Sequence, residues 1–281
     1  MRTHLKITGA AAIAVACMQT PAAAQGHSHD APHDGPHGRP HLHTSNRWGE
    51  CSIQLSSRLT QRAWRQFTGE AGLVAYFRPL ADAEPLGRGR FEVSMVQWET
   101  AIDDGDDAWN DTFVHPDSAH YLFEGRGLKF PGLMVRAGVS AGTDVGVYFT
   151  KNPNANYGFF GGQVQRRLVG GEDRRWAASA RASFVSLYGP EDADLTVYGM
   201  DLVASRKLTL TRWAEVSPYV GVSGYLSTSH EKSAAVALDD ERVAGGQVMA
   251  GAVLQISKAR IAAEYSAAKV RTISLKVGFG M

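Results

Sequence analysis

Cysteine is nearly absent: 281 residues contain two, Cys17 and Cys51. Cys17 falls in a stretch that reads as an export signal. Arg2, His4 and Lys6 form its basic start, Ile7 to Ala16 its apolar core, and Ala22, Ala23 and Ala24 a small-residue cleavage site before Gln25. A lipobox reading of Ala14 to Cys17 lacks the usual leucine, so ordinary cleavage is expected. Cleavage leaves Cys51 alone, which excludes an internal disulfide. Long hydrophobic runs are also missing. No stretch approaches the roughly 18 consecutive apolar residues of a spanning helix. Charge of one sign is missing too: 29 Lys and Arg against 28 Asp and Glu give a net charge of +1. A chain so balanced carries no global field for nucleic acid.

What is there is alternation. In the last third, Val216, Pro218, Val220, Val222, Gly224 and Leu226 share one parity, and Ser217, Tyr219, Gly221, Ser223, Tyr225 and Ser227 the other. The pattern recurs with Val248, Ala250, Ala252 and Leu254, and again with Ile273, Leu275, Val277 and Phe279. Successive side chains on a strand point to opposite faces, so each segment has one apolar face and one small or polar face. A tilted strand of about ten residues crosses a bilayer. The expected fold is all-β: a transmembrane, antiparallel, up-and-down barrel of about ten strands (roughly 8–12), with lipid outside and a polar lumen. A short helix and a disordered histidine-rich arm precede it.

Four regions follow: residues 1–24 as signal, 25–50 as the arm, 51–88 as a helical plug or cap, and 89–281 as the barrel. The arm carries six histidines, His27, His29, His33, His37, His41 and His43, among Pro, Gly and Asp. Such a composition builds no core. Imidazole is a common ligand of zinc, copper and nickel, so divalent metal is the partner expected there, although no spacing matches a closed zinc site. No cofactor is required elsewhere. Leu59 to Phe77 places Leu59, Ala63, Trp64, Phe67, Ala71 and Val74 at helical spacing with Thr60 as cap, while Gly69 and Gly72 weaken its second half. Capping one end of the barrel and plugging its lumen both remain open.

The first strand, Arg90 to Ile102, shifts parity between Met95 and Trp98, which reads as a bulge. Asp103 to Phe130 is a long polar connection. It opens on clustered carboxylates that lack the full ligand series of a calcium loop. With both barrel ends in the periplasm, the connections 103–130, 151–156, 189–194 and 229–245 fall outside the cell. Those at 142–143, 170–175, 209–215 and 257–260 fall inside. The two longest land outside, as outer-membrane barrels have it. Aromatic residues near strand ends, Trp98, Tyr157, Trp176, Tyr188, Trp213 and Phe279, fit interfacial girdles.

Ala83-Glu84-Pro85-Leu86-Gly87, Pro131-Gly132-Leu133, Gly142-Thr143-Asp144-Val145-Gly146 and Ser217-Pro218-Tyr219-Val220-Gly221-Val222 resemble a family of uncharacterised proteobacterial outer-membrane β-barrel proteins. The likeness spreads over residues 59–280. It implies a fold and a location in the outer membrane of a Gram-negative cell, with lipid and the barrel-assembly machinery as partners. It implies no chemistry.

Lumen-facing candidates are Arg181, Ser183, Asp201, Tyr219, Tyr225, Glu264 and Lys276, all on polar parity. In a narrow barrel such groups pair and fill the interior, and in a pore they would set selectivity. About ten strands is well short of the 16–18 of open porins. The function expected is therefore non-enzymatic, structural or a narrow solute passage. The arm is expected in the periplasm. Two alternatives stand beside it. A lipid-modifying hydrolase or acyltransferase would use Ser229-His230, or Ser118 with His115 and His120. A soluble secreted β-protein would bind metal.

Overall fold

The computed structural model describes residues 49–103, 105–114, 128–151, 153–170 and 175–281. The signal, the six arm histidines, His115, Ser118 and His120 lie outside the described residues. The elements are β1 (Ser52–Ile53), α1 (Gln61–Ala75), β2 (Phe91–Thr100), α2 (Asp107–Asn110), β3 (Phe113–Val114), β4 (Leu128–Ser140), β5 (Thr143–Lys151), β6 (Gly158–Val169), β7 (Trp176–Tyr188), β8 (Ala193–Arg206), β9 (Leu208–Thr211), β10 (Ala214–Glu231), β11 (Glu241–Ile256), β12 (Ala259–Ala267) and β13 (Arg271–Gly280). No described helix is long and apolar enough to cross a membrane.

Ten of the strands form one closed antiparallel wall in chain order. The wall closes where β13 pairs with β2, from Thr272 opposite Thr100 to Gly280 opposite Glu92. The four-residue β9 pairs only with the base of β10 and is not a stave of the wall. The small β1–β3 ladder stands apart from it. Closure leaves the ten-strand wall itself no unpaired edge, which is what an antiparallel sheet needs if it is not to add further chains.

The burial pattern is inverted relative to a soluble protein. Outward positions are apolar and exposed: Val220 is 60%, Leu275 50% and Ile273 68% accessible, with no second sheet over them among the described residues. Inward positions on the same strands are polar and buried, Lys276 at 0% and Arg181 at 2% among them. Alternation in β2 is unbroken, because its register runs without a shift against both β13 and β4. The bulge expected near Met95 is therefore absent. Val96 and Trp98 point inward with Glu92, Ser94 and Thr100. They are apolar because they pack against a polypeptide segment inside the barrel.

That segment begins with α1. Thr60 caps it, its Oγ1 accepting from Ala63 N at 3.3 Å. The glycines that weaken its propensity are where it meets the wall. A Cβ on Gly72 would sit 2.7 Å from Ser227 Cβ, and one on Gly69 would sit 3.2 Å from a Val243 methyl. Both residues stay helical because close approach to β10 and β11 outweighs the roughly 1 kcal/mol that glycine costs in a helix.

The two ends of the wall differ. At one end lie the turn at Ala141-Gly142, the β9 ribbon, the turn at Ser257-Lys258, and both ends of the wall itself, where Phe91 N donates to Met281 O at 2.9 Å. At the other end lie the longer connections from β2 to β4, β5 to β6, β7 to β8 and β10 to β11.

Candidate functional site: the plugged lumen

The lumen is filled from the wall inward and from the plug outward, in successive levels. Nearest the longer connections, Trp64, Phe67, Trp109, Phe113 and Tyr157 form a run of ring contacts with centroids 5.1–6.3 Å apart. Offset and edge-to-face pairs of this kind contribute about 0.5–1.5 kcal/mol each beyond area burial. Polar clasps ring the cluster. Trp109 Nε1 donates to Glu70 Oε2 at 2.7 Å, Lys269 reaches the other Glu70 oxygen at 2.9 Å, and Arg65 reaches Glu241 at 2.6 Å. Of the carboxylates after Ile102, Asp103 accepts from Gly105 N, and Asp106 caps α2 and accepts from Gln66 Nε2 of α1 at 2.8 Å.

One level down, Thr68 and Ser229 share a hydrogen bond of 2.6 Å, Tyr225 OH donates to Gly69 O at 3.2 Å, and Trp98 Nε1 donates to Val74 O at 2.9 Å. These partners come from β2 and β10, on either side of α1, so the helix stands inside the wall and does not lie across its end.

Beyond α1 the chain is extended and its backbone needs partners. Arg181 supplies one, donating through NH2 to Phe77 O, while its Nε meets Asp201 at 2.7 Å and its NH1 meets Gln163 at 2.6 Å. Asp201 also accepts from Tyr76 OH at 2.8 Å and from Ser223 at 2.5 Å. Arg78, fully buried, folds back on the plug, with NH2 donating to Leu73 O at 2.9 Å and to Thr272 Oγ1 at 2.7 Å. Its guanidinium lies 5.4 Å from the centroid of Trp98, in cation–π range.

The level nearest the wall's own ends is ionic. Glu92 meets Lys276 at 2.6 Å and Arg260 at 3.2 Å. Arg136 meets Asp144 at 2.7 Å, and both Asp144 oxygens accept from Leu86 N. Glu264 accepts from Tyr219 OH at 2.8 Å and from Ser266 at 3.1 Å. Charges this deep need an opposite charge or several hydrogen bonds, because desolvation of a lone ion costs several kcal/mol. A cavity of about 320 Å³ opens at this end, bordered by Asp82, Glu84, Arg90, Arg175, Lys207 and Arg260 among others.

All seven residues read as lumen candidates sit on the inner face. Arg181 and Asp201 meet each other, with Ser183 on the same face of β7 as Arg181. Tyr219 meets Glu264, Lys276 meets Glu92, and Tyr225 meets the plug. Sequence reasoning missed Glu92, Arg136 and Asp144, which the same strand parity could have flagged. It also missed Tyr76, Arg78 and Asp82, for which no strand period exists. Ser229 and His230 fall on opposite faces of β10. Ser229 is buried against Thr68, whereas His230 points out and meets Asp240 at 2.5 Å, so the two do not form a nucleophile and base. Among the described residues, no group of three or more His, Cys, Asp or Glu is placed to hold a metal ion.

No protein-family model and no curated protein matches the chain. Solved structures similar to it are bacterial barrels. An outer membrane channel from Pseudomonas putida F1 shares 13% identity over 73% of this chain and 100% of its own, with a TM-score of 0.39. Ail, the attachment invasion locus protein of Yersinia pestis, shares 15% over 69% and 99%, at 0.28. The N-terminal β-barrel domain of Pseudomonas aeruginosa OprF shares 10% over 69% and 99%, at 0.28. Superposition this loose carries no argument about what the chain does.

Proposed function

We propose that this chain is an integral barrel of the Gram-negative outer membrane whose lumen is kept closed by its own N-terminal segment. Its role is structural and non-enzymatic, and passage of a small solute requires the plug to move. The observation that carries this reading is the inverted burial. A closed wall with Val220, Leu275 and Ile273 bare outside and Arg181, Asp201 and Lys276 buried inside suits hydrocarbon on its outer face. In water the same apolar belt would be an aggregation surface.

The lumen charges fill space and anchor the plug: Arg181 holds the Phe77 carbonyl and Asp144 the Leu86 amide, while Lys276 and Glu92 pair across the wall. Partners are the lipid of the outer membrane and, during insertion, the assembly machinery. Residues 27–43 add affinity for zinc, copper or nickel through their histidines, with no cofactor needed for the barrel.

Membrane fractionation of expressing cells tests the reading. The chain should co-sediment with the outer membrane and migrate faster unheated than boiled. Recovery as a soluble periplasmic monomer would overturn it.

A further inference from the structure

The N-terminal segment crosses the lumen once, and it enters from the end of the wall opposite to where the wall begins and finishes. At the long-connection end, Glu50 N donates to Asn154 O at 3.0 Å and Asn156 Nδ2 to Ile53 O at 2.7 Å, while Leu55 N donates to Asp192 Oδ2 at 3.0 Å. β1 pairs with β3 there, Ser52 opposite Val114. These partners belong to three different connections, so residues 50–56 are held at that end from several sides. At the other end, Ala83 N donates to Ser205 at 3.1 Å and Gly89 N to Gly138 O at 2.9 Å, where the chain turns into β2. Between them α1 alone, at about 1.5 Å per residue over its 15 residues, covers about 22 Å of the lumen.

We infer that the N-terminal segment enters the barrel at the long-connection end, so that residues 50–56 lie on the membrane face opposite both ends of the wall. With those ends in the periplasm, residues 50–56 are displayed at the cell surface. The orientation rests on the outer-membrane reading above; the threading does not. The way back through the lumen is occupied by α1 itself.

Site-directed labelling separates the two questions. In the full chain with Cys51→Ala, single cysteines are introduced as Gln54→Cys, Ala141→Cys in the turn between β4 and β5, and Ala234→Cys in the β10–β11 connection, all exposed positions. Ser57→Cys, also exposed, serves as a second probe of the N-terminal side, and heat-modifiable migration selects folded protein. Each variant is treated with a membrane-impermeant maleimide on intact cells and after outer-membrane permeabilisation. Gln54→Cys and Ala234→Cys are expected to label equally on intact cells, with Ala141→Cys rising at least tenfold only on permeabilisation. If Gln54→Cys and Ser57→Cys instead follow Ala141→Cys, the threading is wrong. If Gln54→Cys and Ala234→Cys are both protected while Ala141→Cys labels, the threading stands and the barrel's orientation is reversed.

Discussion

Replacing Asp201 by Asn asks whether the lumen is dry where the plug passes Arg181. The substitution preserves the side chain's shape and removes its charge. Asp201 is 2% exposed and accepts from Arg181, Tyr76 and Ser223 at 2.7, 2.8 and 2.5 Å. Afterwards the Arg181 guanidinium, itself 2% exposed, keeps Gln163 and the Phe77 carbonyl but loses its carboxylate. A cation stranded in a water-excluded interior costs about 3–5 kcal/mol. The same pair on a wetted surface is worth about 0–1 kcal/mol. The two regimes do not overlap, so one measurement decides between them. The assay is urea unfolding of the refolded protein in lipid vesicles, with the folded fraction read from heat-modifiable migration. Asp201→Asn should lose at least about 3 kcal/mol. The double variant Arg181→Met with Asp201→Leu, which removes both charges, should recover most of that loss because well-packed apolar pairs replace buried ion pairs at little or no cost. A loss under about 1 kcal/mol for Asp201→Asn would mean that water reaches this level, and the account of a closed lumen would fail.

Three further outcomes are expected. Leu275→Arg, outward at the middle of β13, should destabilise the barrel by about 2–4 kcal/mol in vesicles, against about 0–1 for Phe279→Arg near its end. Equal, small effects at both positions would point to an aqueous surroundings. Gly72→Leu forces side-chain atoms into Ser227 and Tyr225 and should loosen the plug without touching the wall's register. In planar bilayers it is expected to raise conductance above a closed wild type, and a wild type already steadily conducting would remove the plug from consideration as a seal. Deleting residues 26–43 should abolish retention on a nickel or zinc resin while leaving heat-modifiable migration unchanged; retained binding would place the metal affinity elsewhere.

Strand parity determined that each segment has one apolar and one polar face, gave a count of about ten strands, and marked Arg181, Asp201, Glu264 and Lys276 as facing in. Period two is a property of the local backbone, so Val220 against Tyr219 or Leu275 against Lys276 could be assigned without knowing any partner strand. Where a strand's inner positions face apolar side chains of the plug, as at Val96 and Trp98, the same logic slipped. Val96 and Trp98 looked like a break in the pattern because nothing near them in sequence says that a helix will lie opposite. What the tertiary structure decided is what fills the barrel and which way it runs. Tyr76 and Asp201 are 125 residues apart, Arg78 and Thr272 194 apart, and Gly72 is tolerated only because Ser227 comes within contact of it. Contacts at such separations arise from closing the wall around a segment, and no local period carries them. For the same reason the period of residues 59–77 suits a cap and a plug equally, and only the hydrogen bonds from the wall's Trp98, Arg181 and Tyr225 to that segment's backbone make it a plug.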